Sequence, residues 1–73
     1  MQTVAVIGAG QMGTGIAQTV AQNGLRVLIS DLDLAHAEAG KARIDQALAK
    51  MVGRGKITPD EAEAALARIT PVA

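Results

Sequence analysis

The chain alternates between two apolar rhythms. Thr3-Val4-Ala5-Val6-Ile7 is an unbroken run of β-favouring residues, the pattern of a parallel strand buried on both faces. After Gly8-Ala9-Gly10 the period changes: Met12, Ile16 and Val20 recur every four residues and trace an apolar stripe along a helix. Gly13, Ala17 and Ala21 form a line of small residues beside it, which lets the helix approach a sheet closely. Asn23-Gly24 supplies a helix stop, and Arg26-Val27-Leu28-Ile29-Ser30 reads as a second strand closed by Asp31. Strand, helix and strand within about 30 residues make one right-handed βαβ unit.

Asp33 is placed to cap a longer helix from about Leu34 to Val52, with Ala37, Ile44, Leu48, Met51 and Val52 as its apolar side. Gly53 and Gly55 interrupt it. Thr58-Pro59-Asp60-Glu61 then combines an N-cap threonine, a first-position proline, acids in the first turn and a capping-box glutamate. This helix is expected to reach about Arg68, with Ala62, Ala65, Leu66 and Ile69 turned inward, and residues 69–73 lead toward a further strand. The fold class is α/β, the N-terminal part of a Rossmann-type domain.

Composition adds that the core is thin. Of the 73 residues 36 are apolar, but 15 of these are alanine and none is aromatic. A chain this short is marginal as a free-standing domain, and the absence of cysteine removes disulfides and thiolate zinc sites. The expectation is that residues 1–73 are the first part of a longer domain, with its C-terminal half lying beyond them. No apolar run approaches a bilayer span and no leader is visible, so a soluble cytoplasmic protein is expected.

Formal charge is zero, which does not suggest nucleic acid as a partner. The balance is uneven, however. Residues 41–56 carry Lys41, Arg43, Lys50, Arg54 and Lys56 against Asp45, while the flanking segments are each slightly acidic. Arg43, Lys50 and Arg54 share one helical face. By charge and spacing alone they read as a solvated face near a helix C-terminus.

Gly8-Ala9-Gly10-Gln11-Met12-Gly13 is G-x-G-x-x-G. The first glycine makes the tight turn, the second clears space for a pyrophosphate, and the third lets helix and strand pack closely. The free N–H groups around Gln11 and Met12 then face the phosphates, favoured by the helix dipole. The motif follows a strand, opens an amphipathic helix, and is followed 18 residues after Gly13 by Asp31 at the end of a second strand. That context argues against a bare tight turn. A carboxylate at Asp31 can accept both hydroxyls of the adenine ribose and repels a 2′-phosphate, so NAD is favoured over NADP. Gly8, Gly10, Gln11, Met12, Gly13 and Asp31 are the candidate cofactor residues. No metal set is visible.

Val6-Ile7-Gly8-Ala9-Gly10-Gln11-Met12-Gly13-Thr14-Gly15-Ile16-Ala17-Gln18, with Asn23-Gly24 and Val27-Leu28-Ile29-Ser30-Asp31, resembles the N-terminus of the 3-hydroxyacyl-CoA dehydrogenases, the bacterial 3-hydroxybutyryl-CoA type above all. The resemblance continues through Ile44, Leu48, Gly55-Lys56-Ile57 and Leu66-Ala67-Arg68-Ile69. It implies an oxidoreductase that converts (S)-3-hydroxyacyl-CoA to the 3-oxo compound with NAD as hydride acceptor, acting as a homo-oligomer when complete. It implies that Lys50 and Arg54 approach phosphates of the CoA adenosine moiety, whereas Ala47 replaces a serine found in some members. It implies a dinucleotide-binding domain completed beyond residue 73 and followed by an all-helical C-terminal domain, with the family's catalytic His–Glu pair and assisting Ser and Asn also beyond residue 73, so no residue of this chain is assigned as catalytic. His36 does not match the family's catalytic position and reads as a solvated helix residue. The alternative left open is a non-catalytic dinucleotide-binding module completed by a partner chain.

Overall fold

The computed structural model describes residues 3–8 and 10–72, the side chain of Gln11 apart. The elements run β1 (Thr3–Ile7), α1 (Gln11–Gln22), β2 (Arg26–Ser30), α2 (Leu34–Gly53), α3 (Pro59–Ala67) and β3 (Ile69–Val72). The strands form one parallel sheet in the order β1-β2-β3. Successive strands therefore step across the sheet in one direction, and right-handed crossovers of that kind lay their helices on a single face.

The register shows the consequence for packing. Val4 and Val6 pair with Val27 and Ile29, and Val27 and Ile29 pair in turn with Ile69 and Pro71. Val6, Val27, Ile29 and Ile69 are buried in one cluster with Ala17 and Ala21 of α1, Ile44 and Leu48 of α2 and Ala65 of α3. The alternate positions Thr3, Ala5 and Ile7 of β1, Leu28 of β2 and Thr70 of β3 are exposed. The expectation that β1 is buried on both faces is thus corrected, because the helices among the described residues lie on the same side. β1 is also an edge strand, its pairing described on the β2 side alone.

On α1 the line of small residues makes the core contact. Ala17 and Ala21 are fully buried, while Met12 is 81% and Ile16 51% exposed. The helix sits so close to the sheet that methyl groups fill the gap. Met12 and Ile16 of the larger stripe therefore point away from the sheet, while Val20 packs half-buried against the core.

The helix boundaries follow the capping chemistry. The side chain of Asp33 accepts the His36 N–H at the start of α2. Thr58 and Glu61 exchange reciprocal hydrogen bonds of 3.1 Å at the start of α3. That helix ends at Ala67 with Arg68 as its C-cap, so the inward-facing Ile69 belongs to β3. Gly40, absent from the expected apolar side of α2, is buried there with Ala37, Ile44 and Leu48. Arg68 then joins the layers: one guanidinium nitrogen donates to the carbonyl of Ala21 at 2.9 Å, and its own carbonyl accepts the Val27 N–H at 2.9 Å. The first of these bonds reaches a carbonyl in the last turn of α1 that also accepts the Gly24 N–H at 3.1 Å.

With 20 residues, α2 is about 30 Å long, against about 17 Å for a five-residue strand. It starts at the carboxyl edge of the sheet and overshoots the amino edge. There Gln18 and Gln22 of α1 reach the Met51 sulfur at 3.4 and 3.7 Å. α2 and α3 pair as a hairpin with an apolar groove between them, lined by Leu48, Val52, Ala62 and Leu66.

Candidate functional site

The glycine loop lies at the carboxyl edge of the sheet, where β1 passes into α1. Gly8 has φ +95°, a conformation open to glycine and strained for other residues. Its N–H donates to the carbonyl of Ser30 at 2.7 Å. That bond continues the β1–β2 ladder one step past Ile7 and Ser30 and brings Gly8 beside the start of the Asp31 loop. Residues 23 positions apart in sequence are thereby gathered at one edge.

Gly10 is the N-cap of α1, with extended backbone, and its carbonyl accepts the Thr14 N–H at 2.9 Å. The amides of Gln11, Met12 and Gly13 precede that first helical bond and have no intrahelical acceptor. The three helices differ here. α2 starts on Asp33 and α3 on Thr58 with two acids, whereas α1 has neither a side-chain cap nor an acid in its first turn. An uncapped, acid-free helix start with unsatisfied donors is electrostatically suited to an anion.

Gly13 answers a different demand. A Cβ at this position would fall on the carbonyl oxygen of Gly8, 3.1 Å from the Gly8 carbonyl carbon and 3.5 Å from Cγ1 of Val6. The first turn of α1 therefore rests directly on the backbone leaving β1. Gly8 and Gly10 have open space where a Cβ would stand, so nothing of the described structure occupies that side of the loop. The donor set and the clearance fit a pyrophosphate. Ala9 and the Gln11 side chain lie outside the described residues.

Asp31 follows β2 directly and is half-buried. Its Oδ1 accepts the N–H of Leu32 at 2.6 Å, which fixes the carboxylate at the edge of the sheet. Leu32 itself is 90% exposed. Gly8, Gly10, Met12, Gly13 and Asp31 are thus brought to one edge, as their spacing requires.

The candidate residues Lys50 and Arg54 are not part of this group. Both are exposed, one in the last turn of α2 and the other its C-cap. Sixteen residues of helix separate Lys50 from Leu34, about 24 Å along the axis. The structure holds this basic pair at the far end of α2, where cations also complement the helix dipole.

His36 is exposed, as a solvated helix residue should be, but it has a partner. Its Nδ1 lies 2.8 Å from Oδ1 of Asp33. The hydrogen bond and the charge of Asp33 raise the imidazole pKa above its ordinary 6.5, with Asp31 adding in the same direction. The backbone N–H of His36 and then its ring hold the Asp33 carboxyl below its ordinary 3.8. The Asp-x-x-His spacing, one helical turn, was the available sequence signal for this pair.

Among the described residues no cluster of three or more His, Cys, Asp or Glu could hold a metal ion. No helix among them is long and apolar enough to cross a membrane.

Comparison with known proteins places this geometry in context. Residues 3–73 match the family model described as 3-hydroxyacyl-CoA dehydrogenase, NAD binding domain. The chain is 45% identical over 75 residues to 3-hydroxyadipyl-CoA dehydrogenase of Escherichia coli K12, covering 99% of the chain and 15% of that protein. It is 43% identical over 67 residues to the fatty acid oxidation complex subunit alpha of Psychrobacter cryohalolentis, covering 92% of the chain and 9% of the relative. The crystal structure of (S)-3-hydroxybutyryl-CoA dehydrogenase from Ralstonia eutropha superposes with a TM-score of 0.94 at 37% identity, covering 100% of this chain and 26% of that one. In each case the match spans less than a third of the other protein.

Proposed function

The chain belongs to the 3-hydroxyacyl-CoA dehydrogenase NAD-binding domain family, and from that premise we propose a role for each residue at the carboxyl edge of the sheet. Gly8 and Gly10 let the loop approach the pyrophosphate of NAD, and the amides of Gln11, Met12 and Gly13 donate to it. Asp31 accepts the hydroxyls of the adenine ribose. When bound, NAD supplies the hydride acceptor. The observation that carries this reading is the contact of Gly13 with Gly8 at a helix start that has no cap of its own.

The substrate of the complete protein is, in this proposal, a (S)-3-hydroxyacyl-CoA oxidised to the 3-oxoacyl-CoA. The groups that move the hydroxyl proton are supplied from outside these 73 residues, and the chain alone does not turn over substrate. Lys50 and Arg54 are proposed to approach the phosphates of CoA, a role their separation from the glycine loop permits. Residues 1–73 form the first part of the dinucleotide-binding domain in a cytoplasmic homo-oligomer.

A second reading, a non-catalytic dinucleotide-binding module completed by a partner chain, is favoured by the open edge of β1 and the uncovered sheet face at Ala5, Ile7 and Leu28. Calorimetry with NAD on the wild type and Asp31→Ala tests the cofactor role common to both readings. Saturable binding that weakens at least about tenfold on substitution supports it, by the loss of a charge-assisted hydrogen-bond acceptor. Equal binding by the two proteins contradicts it. A 3-hydroxybutyryl-CoA oxidation assay on the 73-residue chain tests its inactivity, which measurable turnover would overturn.

A further inference from the structure

The loop that carries Asp31 leads at once into a second acid and the chain's single histidine. Oδ1 of Asp33 accepts the His36 N–H at 2.9 Å and lies 2.8 Å from Nδ1 of the same residue, so the ring is held against the cap of α2. Both side chains remain more than half exposed. Asp33 follows Asp31 by two residues in the loop between β2 and α2, so this exposed pair stands close along the chain to the end of β2.

Asp33 at the cap of α2 and Asp31 in the loop after β2 are the charged groups that act on the imidazole among the described residues. Counted together, the three side chains carry −2 when the imidazole is neutral and −1 when it is protonated. On the reading given under Proposed function, on which this step rests, the ribose hydroxyls of the dinucleotide meet the Asp31 end of this cluster. A 2′-phosphate there would meet either a doubly or a singly negative surface, depending on one proton.

We propose that His36 is a specificity-determining residue: its protonation state sets how strongly the Asp31–Asp33 end of the site rejects a dinucleotide carrying a 2′-phosphate. Rejection is strongest with the imidazole neutral and relaxes when it is protonated. Asp33 keeps the ring in place and moves its titration upward from the ordinary 6.5. By linkage, a 2′-phosphate that is less repelled by the protonated form must in turn favour protonation.

The single histidine makes this measurable on the chain itself, since it gives one set of imidazole C–H resonances. Its titration is followed by NMR with adenosine 5′-phosphate or adenosine 2′,5′-bisphosphate, which differ by the 2′-phosphate. Affinities for both nucleotides are measured near pH 5.5 and pH 8.5 on wild type and His36→Gln. The bisphosphate should raise the His36 midpoint while the monophosphate does not. The preference for the monophosphate should fall from high to low pH by about fivefold more in wild type than in His36→Gln. The variant corrects for the phosphate's own ionisation near pH 6. A midpoint indifferent to the 2′-phosphate, or an equal fall in both proteins, overturns the inference while leaving the role of Asp31 intact. Failure of both nucleotides to bind at either pH overturns the reading of Asp31 and this inference with it.

Discussion

Gly13 stands over Gly8 so closely that a Cβ on the former would clash with the carbonyl oxygen of the latter. One hydrogen atom at that place sets the distance between α1 and β1, and with it the position of the amides that open the helix. Gly15, two residues on, has open space around its missing Cβ. The two glycines should therefore respond oppositely to the same change. Gly13→Ala is expected to lose about 1–3 kcal/mol by overpacking, together with NAD affinity. Gly15→Ala should gain about 0.5–1 kcal/mol, the usual difference between the two residues inside a helix. Urea denaturation of the two variants checks the pair, and equal effects would contradict the close-approach argument.

Leu48 is buried in the cluster that joins α2 to the sheet. The core has no aromatic ring to redistribute into a void, and many of its neighbours are alanines. Leu48→Ala is expected to cost about 2–5 kcal/mol, a large share of the stability of a small domain. A marked fall in the midpoint of thermal unfolding by circular dichroism is the expected result.

The start of α3 should be much more forgiving. Thr58→Ala removes one half of the reciprocal Thr58–Glu61 pair and leaves the buried face of the helix unchanged. A loss of about 1 kcal/mol is expected. Replacing Glu61 as well should cost less than the two single losses combined, because the two bonds form one unit. A double-mutant cycle by chemical denaturation measures this.

Stability should also carry a pH signature from Asp33 and His36. The raised imidazole pKa gives a contribution fully present below 6.5 and lost as pH rises through the folded-state value. The lowered carboxyl pKa gives one present above 3.8 and lost as pH falls through its own folded value. Both act together between those limits. The stability difference between wild type and His36→Gln should thus be larger near pH 5.5 than near pH 8.5, though small and reduced by salt because the pair is exposed. Parallel denaturation curves at the two pH values supply the test, and a difference that grows toward pH 8.5 contradicts it.

Much of this was legible from the residues alone. The unbroken runs at 3–7 and 26–30, the small-residue line of α1, and the caps at Asp33 and Thr58 all stand where local rules place them. Those features depend on neighbours a few positions away. The misread features depend on distant ones. A run such as Val4-Ala5-Val6-Ile7 has the same appearance whether or not its second face is covered within the chain, so the exposure of Ala5 and Ile7 was hidden. On α1, by contrast, the small-residue line of Gly13, Ala17 and Ala21 was legible as the side that approaches the sheet, because the small side chains that permit it are a local feature. In the site, the glycine spacing and Asp31 were readable, whereas the attachment of His36 to Asp33 required a rotamer that no periodicity encodes.

The central claim is that a dinucleotide rests on the edge formed by Gly8, Gly10, the first amides of α1 and Asp31. Amide chemical-shift mapping of the 15N-labelled chain during titration with NAD tests it most directly. The account predicts saturable shifts concentrated at Gly8, Gly10 through Thr14 and Asp31 through Asp33, absent from Lys50 and Arg54 and lost in Asp31→Ala. Shifts centred on the α2–α3 hairpin, or a spectrum unmoved by NAD while the protein remains folded, would contradict it.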